Sequence, residues 1–169
     1  MKERLFFVDA ECDGLYGRFL SVAALVTDKN GTECDSFYGA VRVTEKDISN
    51  EWVKTNVYPF LRNAQELFGS EKELLEAFWC FWLRHRDNAD CVSYVPYPVE
   101  CRLFIACVEE NTAERQLLAP FPLYDLSTLL ETKGHCFDSD MSTLSGFSLQ
   151  NHDAMNDVRM MAEVWKKLF

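Results

Sequence analysis

The sequence predicts an α/β fold: a mixed five-stranded sheet, its first three strands antiparallel, flanked by helices. Three observations carry this expectation. Two strand-like runs, Phe19 to Thr27 and Glu33 to Val43, are joined through Asp28-Lys29-Asn30-Gly31, and Asn-Gly between such runs is a strong hairpin signal. A short apolar run, Leu5 to Val8, precedes the hairpin and reads as a buried strand beside it. Beyond the hairpin the order becomes strand-helix-strand-helix, which adds strands to the sheet and helices to its faces.

The remaining elements follow in order. Ile48 to Arg62 is compatible with a helix that Pro59 kinks or ends, because proline lacks the backbone donor a helix interior needs. Ser70-Glu71-Lys72-Glu73 is a capping box that starts a helix over Glu71 to Arg86; its Phe78, Trp79, Phe81 and Trp82 suit a face buried against the sheet better than a base-stacking platform. Asp90 to Val95 is the fourth strand, and Pro96-Tyr97-Pro98 bends the chain into a helix from Val99 to about Glu110. Leu123 to Leu126 is the fifth strand, with a helix beginning near Ser127. Glu131 to Gln150 is polar and Gly-containing with little periodicity, and reads as a long loop with one turn at most. The last helix runs from about His152 to Leu168, with Val158, Met161, Ala162, Trp165 and Leu168 on its apolar face.

With 169 residues, 48% of them hydrophobic and 13 of them Phe, residues 1–169 are expected to form one domain with a substantial core. No apolar run approaches the roughly 18 residues of a membrane span and the N-terminus has no signal-peptide layout, so a cytoplasmic protein without membrane association is expected. Seven cysteines without a Cys-x-x-Cys pair argue against a zinc ribbon or a thioredoxin-type motif; Cys80, Cys101 and Cys107 sit among apolar neighbours and read as reduced core residues. A net charge of −10 counts against general binding to a polyanion, although metal held by carboxylates offsets the local field and a grip on a chain end needs few phosphate contacts. There is no Walker loop, no Gly-x-Gly-x-x-Gly and no Gly-x-Ser-x-Gly.

The chemistry is concentrated at the two ends of the chain. Phe6-Phe7-Val8-Asp9-Ala10-Glu11 is a strand that delivers Asp9 and Glu11 on one face at its tip, since side chains two apart project the same way. His152 and Asp157 open the last helix, which can lean against that tip. Glu100, in the first turn of the helix after the fourth strand, is placed to approach from the adjacent strand end as a fourth catalytic, metal-binding carboxylate, in the inner or outer shell of a second metal ion. Two-metal phosphodiester hydrolysis asks for such a set: carboxylates for hard cations and a base for the attacking water. An imidazole with an ordinary pKa near 6.5 suits the second task.

Asp9-x-Glu11-x-x-Gly14-Leu15 and His152-x-x-x-x-Asp157 resemble the first and third motifs of the DEDDh 3′-to-5′ exonucleases, a ribonuclease-H-like group that includes the proofreading, ribonuclease T and oligoribonuclease enzymes. The resemblance spans the chain in motif order. It implies that Asp9, Glu11 and Asp157 are metal ligands for two Mg²⁺ ions, replaceable by Mn²⁺, that His152 is the general base, and that Cys12 and Leu15 lie against the 3′-terminal nucleotide. Glu100, in Val95-Pro96-Tyr97-Pro98-Val99-Glu100, has the spacing of the middle motif but stands where the family has Asp, with no preceding His-Asn pair. A Pro-containing middle motif with Glu is similar to a small exoribonuclease branch related to ribonuclease T. The resemblance therefore implies a 3′-to-5′ exonuclease that releases nucleoside 5′-monophosphates from a nucleic acid 3′ end, RNA ahead of DNA. A homodimer is an option it opens, with no dedicated interface signal in the sequence.

Blander readings stand beside these. Asp153 and Asp157 suit the first turn of any helix, Glu100 equally so, and Asp13 beside Gly14 suits a turn. His135 is a rival for a mobile base, and Arg84-His85-Arg86 suits either phosphate or a helix end. Tyr94, Tyr97, Trp52 and Phe147 suit base stacking or plain packing. A non-cleaving binding module and a hydrolase of small phosphodiesters such as dinucleotides are the alternatives in function.

Overall fold

A computed structural model describes residues 2–137, 139–147, 149 and 151–169. Its centre is strand β1 (Arg4–Cys12), antiparallel to β2 (Phe19–Asp28), which is antiparallel to β3 (Glu33–Val41). The turn between β2 and β3 is built as its sequence demands: Asp28 Oδ1 accepts from the backbone N–H groups of Asn30 and Thr32, both at 2.8 Å, and Gly31 takes φ +80°.

Among the described residues the sheet has six strands, not five. A three-residue edge strand, β4 (Glu66–Phe68), pairs in parallel with β3; it is too short to show alternation and ends at Gly69, so no periodicity marks it. β5 (Ala89–Ser93) lies parallel to β1 and β6 (Leu123–Asp125) parallel to β5, which gives the order β4-β3-β2-β1-β5-β6.

The single helix expected over Ile48 to Arg62 is instead a 3₁₀ turn at Glu45–Asp47, a short helix α1 (Glu51–Asn56) and a second 3₁₀ turn at Tyr58–Asn63. Asn50 caps α1 by accepting from Trp52 and Val53 N–H, which restarts the chain there, and Pro59 opens the second turn. The longer helices are α2 (Glu71–His85) and α3 (Val99–Glu109). Short α4 (Thr112–Arg115), α5 (Leu126–Thr132) and α6 (Met141–Ser145) precede the closing α7 (Ala154–Leu168). At the start of α2, Ser70 Oγ accepts from Glu73 N–H while the Glu73 carboxylate reaches back to Gly69 N–H at 2.7 Å. The stretch Glu131 to Gln150, expected to be a loop with one turn at most, is more ordered among the described residues: α5 runs on to Thr132, Ser139 N–H closes a turn on the Cys136 carbonyl, and α6 follows; Asp138, Ser148 and Gln150 lie outside the described residues.

Period-2 alternation along β1 sorts its side chains onto two cores. Phe6, Val8, Ala10 and Cys12 face α2 and α3, where Phe78, Trp79, Phe81 and Trp82 are all buried. Leu5 and Phe7 face α5 and α7, against Val158, Met161 and Trp165. A third apolar cluster under α1 holds Ile48, Val53, Val57 and Leu61. Of the cysteines read as core, Cys107 is buried, Cys101 half-buried and Cys80 exposed, since the α2 face that meets the sheet passes through Phe78, Phe81 and Trp82 and leaves position 80 outside. His85 is buried too, its Nε2 2.8 Å from Asp35 Oδ2 on β3, so it serves the packing of α2 on the sheet. Among the described residues no helix is long and apolar enough to cross a membrane.

Candidate active site

The odd-numbered face of β1 changes character halfway along. Leu5 and Phe7 pack on α7; Asp9 and Glu11 continue the same face beyond the apolar contact and meet the first turn of α7, which carries Asp157. Carboxylate oxygens of Asp9, Glu11 and Asp157 lie within 4.8 Å of one another. β5 leaves room for this: it pairs with β1 only from Arg4 to Phe7, so the second half of β1 has no neighbour on that side.

Glu100 occupies the gap. Its Oε1 accepts the Ala10 N–H at 3.1 Å, a backbone donor left without a ladder partner where β5 stops. Its side chain is buried, and it lines the same cavity as the other three, although the group of mutually close oxygens is Asp9, Glu11 and Asp157. The segment leading to it is bent sharply, with Val95 at φ +52°, an unusual conformation for a β-branched residue.

Burial raises the proton affinity of all four carboxyls, and the neighbouring acids raise that of Asp9 and Glu11 further. Burial and the charge of Asp157 push Asp9 well above the usual carboxylate range; burial and the same neighbour push Glu11 up to about 8. Burial pushes Glu100 up to about 8 despite the Ala10 bond, and Asp157 up to about 7. The donor set is all oxygen, it repels itself, and no Lys or Arg among the described residues lines the cavity. Such a set fits hard divalent cations, which supply the missing counter-charge.

His152 stands at the mouth. Its backbone is left-handed, φ +65°, and its N–H donates to Asp157 Oδ2 at 3.0 Å. Its ring packs edge-to-face on Trp52, centroids 4.7 Å apart at 81°. Burial lowers its pKa, which keeps the imidazole neutral and able to accept a proton at neutral pH. His135 does not line the cavity; it follows the C-terminus of α5, where its N–H donates to the Leu130 carbonyl.

The cavity above the carboxylates has a volume of about 520 Å³ and includes Leu15, Tyr94, Tyr97 and Phe137. A smaller one of about 220 Å³ adjoins it, sharing Ala10, Glu11, Leu15 and Val99 and adding Asn50 and Trp52. Leu15 is 63% exposed between the two. Cys12 borders the smaller cavity too, but its side chain belongs to the core under α2 and α3, where burial pushes the thiol up to about 12. Of the aromatic residues weighed for stacking, Tyr94, Tyr97 and Trp52 border these cavities, whereas Phe147 lies against the β2–β3 end of the sheet near Leu25 and Thr27.

Three contacts escape sequence reasoning. Asp153 is buried as the N-cap of α7, accepting from Met155 N–H at 3.2 Å and Asn63 Nδ2 at 2.7 Å; a polar residue directly before the apolar-faced helix was its available signal. Asp13 does more than shape its turn: it accepts three hydrogen bonds from Ser49 and Asn50. The Trp52–His152 ring pair joins segments 100 positions apart and leaves no trace in sequence.

Sheet order, flanking helices and the acidic end of β1 define a ribonuclease-H-like α/β fold with a carboxylate site at the edge of its central strand. Solved structures with this fold include E. coli exonuclease I. A zinc-ion-bound form in complex with single-stranded DNA has a TM-score of 0.74 and 13% identity over 98% of this chain and 40% of that one. The E. coli enzyme with a dT13 oligonucleotide gives 0.71 and 14% over 99% and 42%. A further exonuclease I structure gives 0.72 and 14% over 99% and 41%. This chain thus spans about two fifths of the length of these neighbours. No protein-family model matches it, and no curated protein matches it by sequence.

Proposed function

We propose that residues 1–169 form a metal-dependent 3′-to-5′ exonuclease domain acting on single-stranded nucleic acid. The observation that carries the reading is the convergence of Asp9, Glu11 and Asp157 within 4.8 Å, with the His152 imidazole at the mouth of their cavity. In this reading Asp9, Glu11 and Asp157 hold two Mg²⁺ ions, replaceable by Mn²⁺, and Glu100 supports the set from the Ala10 backbone. Bound there, the ions supply a Lewis acid for the scissile phosphate and counter-charge for the leaving oxygen.

The chain's own residues do the rest. An imidazole nitrogen of His152 takes a proton from the attacking water as its oxygen bonds to phosphorus. The bond from phosphorus to the 3′ oxygen of the shortened strand breaks, that oxygen takes a proton from solvent water to become the new 3′ hydroxyl, and a nucleoside 5′-monophosphate leaves. Asp157 fixes the backbone of the base through the His152 N–H. Leu15 packs on the terminal nucleoside, and Cys12, its thiol turned into the core, contributes through its main chain.

RNA is the substrate favoured by the middle-motif resemblance. Single-stranded DNA is the second reading, favoured by the oligonucleotide-bound exonuclease I neighbours. Digestion of 3′-labelled and 5′-labelled single strands of each, with Mg²⁺, Mn²⁺ or EDTA and with Asp9→Ala as control, tests both. Metal-dependent shortening from the 3′ end that vanishes in the variant is expected, and the RNA-to-DNA rate ratio chooses the substrate. Uncut polymer under every metal condition would leave the binding-module alternative standing.

A further inference from the structure

We propose that Trp52 is a positioning residue for His152, and that Asp13 sets Trp52 in place by pinning the start of α1 to the tip of β1. The proposal rests on the exonuclease reading, in which His152 is the base. The backbone of His152 is fixed by its bond to Asp157, but that bond leaves both side-chain torsions free to turn the ring. Among the described ring contacts, the imidazole's partner is the Trp52 indole at 4.7 Å and 81°, an edge-to-face arrangement that favours one ring pose over the others.

Trp52 in turn needs holding. Helix α1 has six residues, too few to persist by itself, and Trp52 is 52% exposed. The hold comes from Asp13, two residues beyond Glu11. One of its oxygens accepts from Ser49 N–H and Ser49 Oγ, each at 2.8 Å, and the other from Asn50 N–H at 2.9 Å. Asn50 passes the constraint on, its Oδ1 accepting from Trp52 N–H at 3.0 Å and Val53 N–H at 3.3 Å. Gly14, at φ +80°, lets the two segments approach: a Cβ there would stand 3.2 Å from Asn50 Nδ2. The tip of β1 thus presents the Glu11 carboxylate on one side, and the turn that follows it, through α1, orients the base on the other.

Stacking on a substrate base is the rival role for Trp52, and kinetics separate the two. In the full chain, Trp52→Ala is expected to lower kcat roughly 3- to 10-fold with KM within about 2-fold, Trp52→Phe to recover most of it, and Asp13→Ala to show the same pattern more weakly. In a His152→Ala background, Trp52→Ala should cause no further loss, because its effect runs through the missing ring. In the metal-free protein, the nuclear Overhauser contacts between the His152 ring protons and its own Hα and Hβ, assigned with His152→Ala, report the ring pose and should change in Trp52→Ala and Asp13→Ala while those of His85 and His135 stay. A raised KM at unchanged kcat, an equal loss in the His152→Ala background, or an unchanged His152 contact pattern would each overturn the proposal. A wild-type chain inert towards every polymer would fail the exonuclease reading instead, and the contact pattern would still decide whether Trp52 holds the ring.

Discussion

Asp9, Glu11, Glu100 and Asp157 each bind a proton more tightly in the folded protein than in an unfolded chain, where carboxyls titrate near 4. Ionising them therefore costs folding stability; the cost is absent below about pH 4 and grows as pH rises towards about 8. His152, with its lowered pKa, works in the opposite sense but is one group against four. In EDTA, the thermal midpoint is expected to fall from pH 5 to pH 8, and Mg²⁺ at pH 8 to restore it. A midpoint in EDTA that rose across this range would contradict the electrostatics. The same reasoning separates function from stability at Asp157. Asp157→Asn should remove more than about 99% of the activity while leaving the metal-free midpoint at pH 8 unchanged or higher, measured by differential scanning calorimetry. The residues that hold this cluster were legible where local pattern governs them. Asp9 and Glu11 follow from alternation along β1, and Asp157 from its place one turn into an amphipathic helix.

Elements decide how the cluster is supported, and here sequence legibility runs out. That α7 opens on acidic residues was visible, but the burial of Asp153 against Asn63, 90 positions away, was not. Asp153→Ala removes both the N-cap acceptor and that bond, and should destabilise the protein by about 1–3 kcal/mol in urea unfolding. Glu100 could be placed near the site from its spacing, but not its bond to Ala10, which exists because β5 stops pairing at Phe7. Glu100→Gln keeps an acceptor for that N–H, whereas Glu100→Ala leaves it unpaired at a cost of about 1–3 kcal/mol. Unfolding of the two variants in EDTA isolates this structural role from any share in metal binding. The helix expected over Ile48 to Arg62 failed in a similar way: Asn50 restarts the chain because Asp13, far off in sequence, takes its backbone N–H.

Across the whole molecule, a net charge of −10 and two adjoining cavities without Lys or Arg among their described lining residues bear on how the proposed exonuclease would hold its substrate. Leu15, Tyr97 and Phe137 stand exposed around the carboxylates, so under the exonuclease reading bases meet aromatic and apolar surface and few phosphates meet side-chain cations. The logarithm of kcat/KM against the logarithm of KCl concentration, at fixed Mg²⁺, should therefore be nearly flat, with a slope shallower than about −1; a slope of about −3 or steeper would reveal a basic track elsewhere. The fold class was legible because the hairpin, the buried β1 and the amphipathic α2 and α7 each have a local signature. The edge strand β4 has none, and its pairing with β3 joins segments far apart in sequence through backbone hydrogen bonds that no local pattern announces.

The most direct test is mass spectrometry of the products from a single-stranded oligonucleotide of defined length, incubated with Mg²⁺ and wild-type chain or Asp157→Asn. The account predicts nucleoside 5′-monophosphates and a series of oligomers shortened one residue at a time from the 3′ end, both absent with the variant. Intact oligomer with the wild-type chain, or internal fragments without mononucleotides, would contradict it.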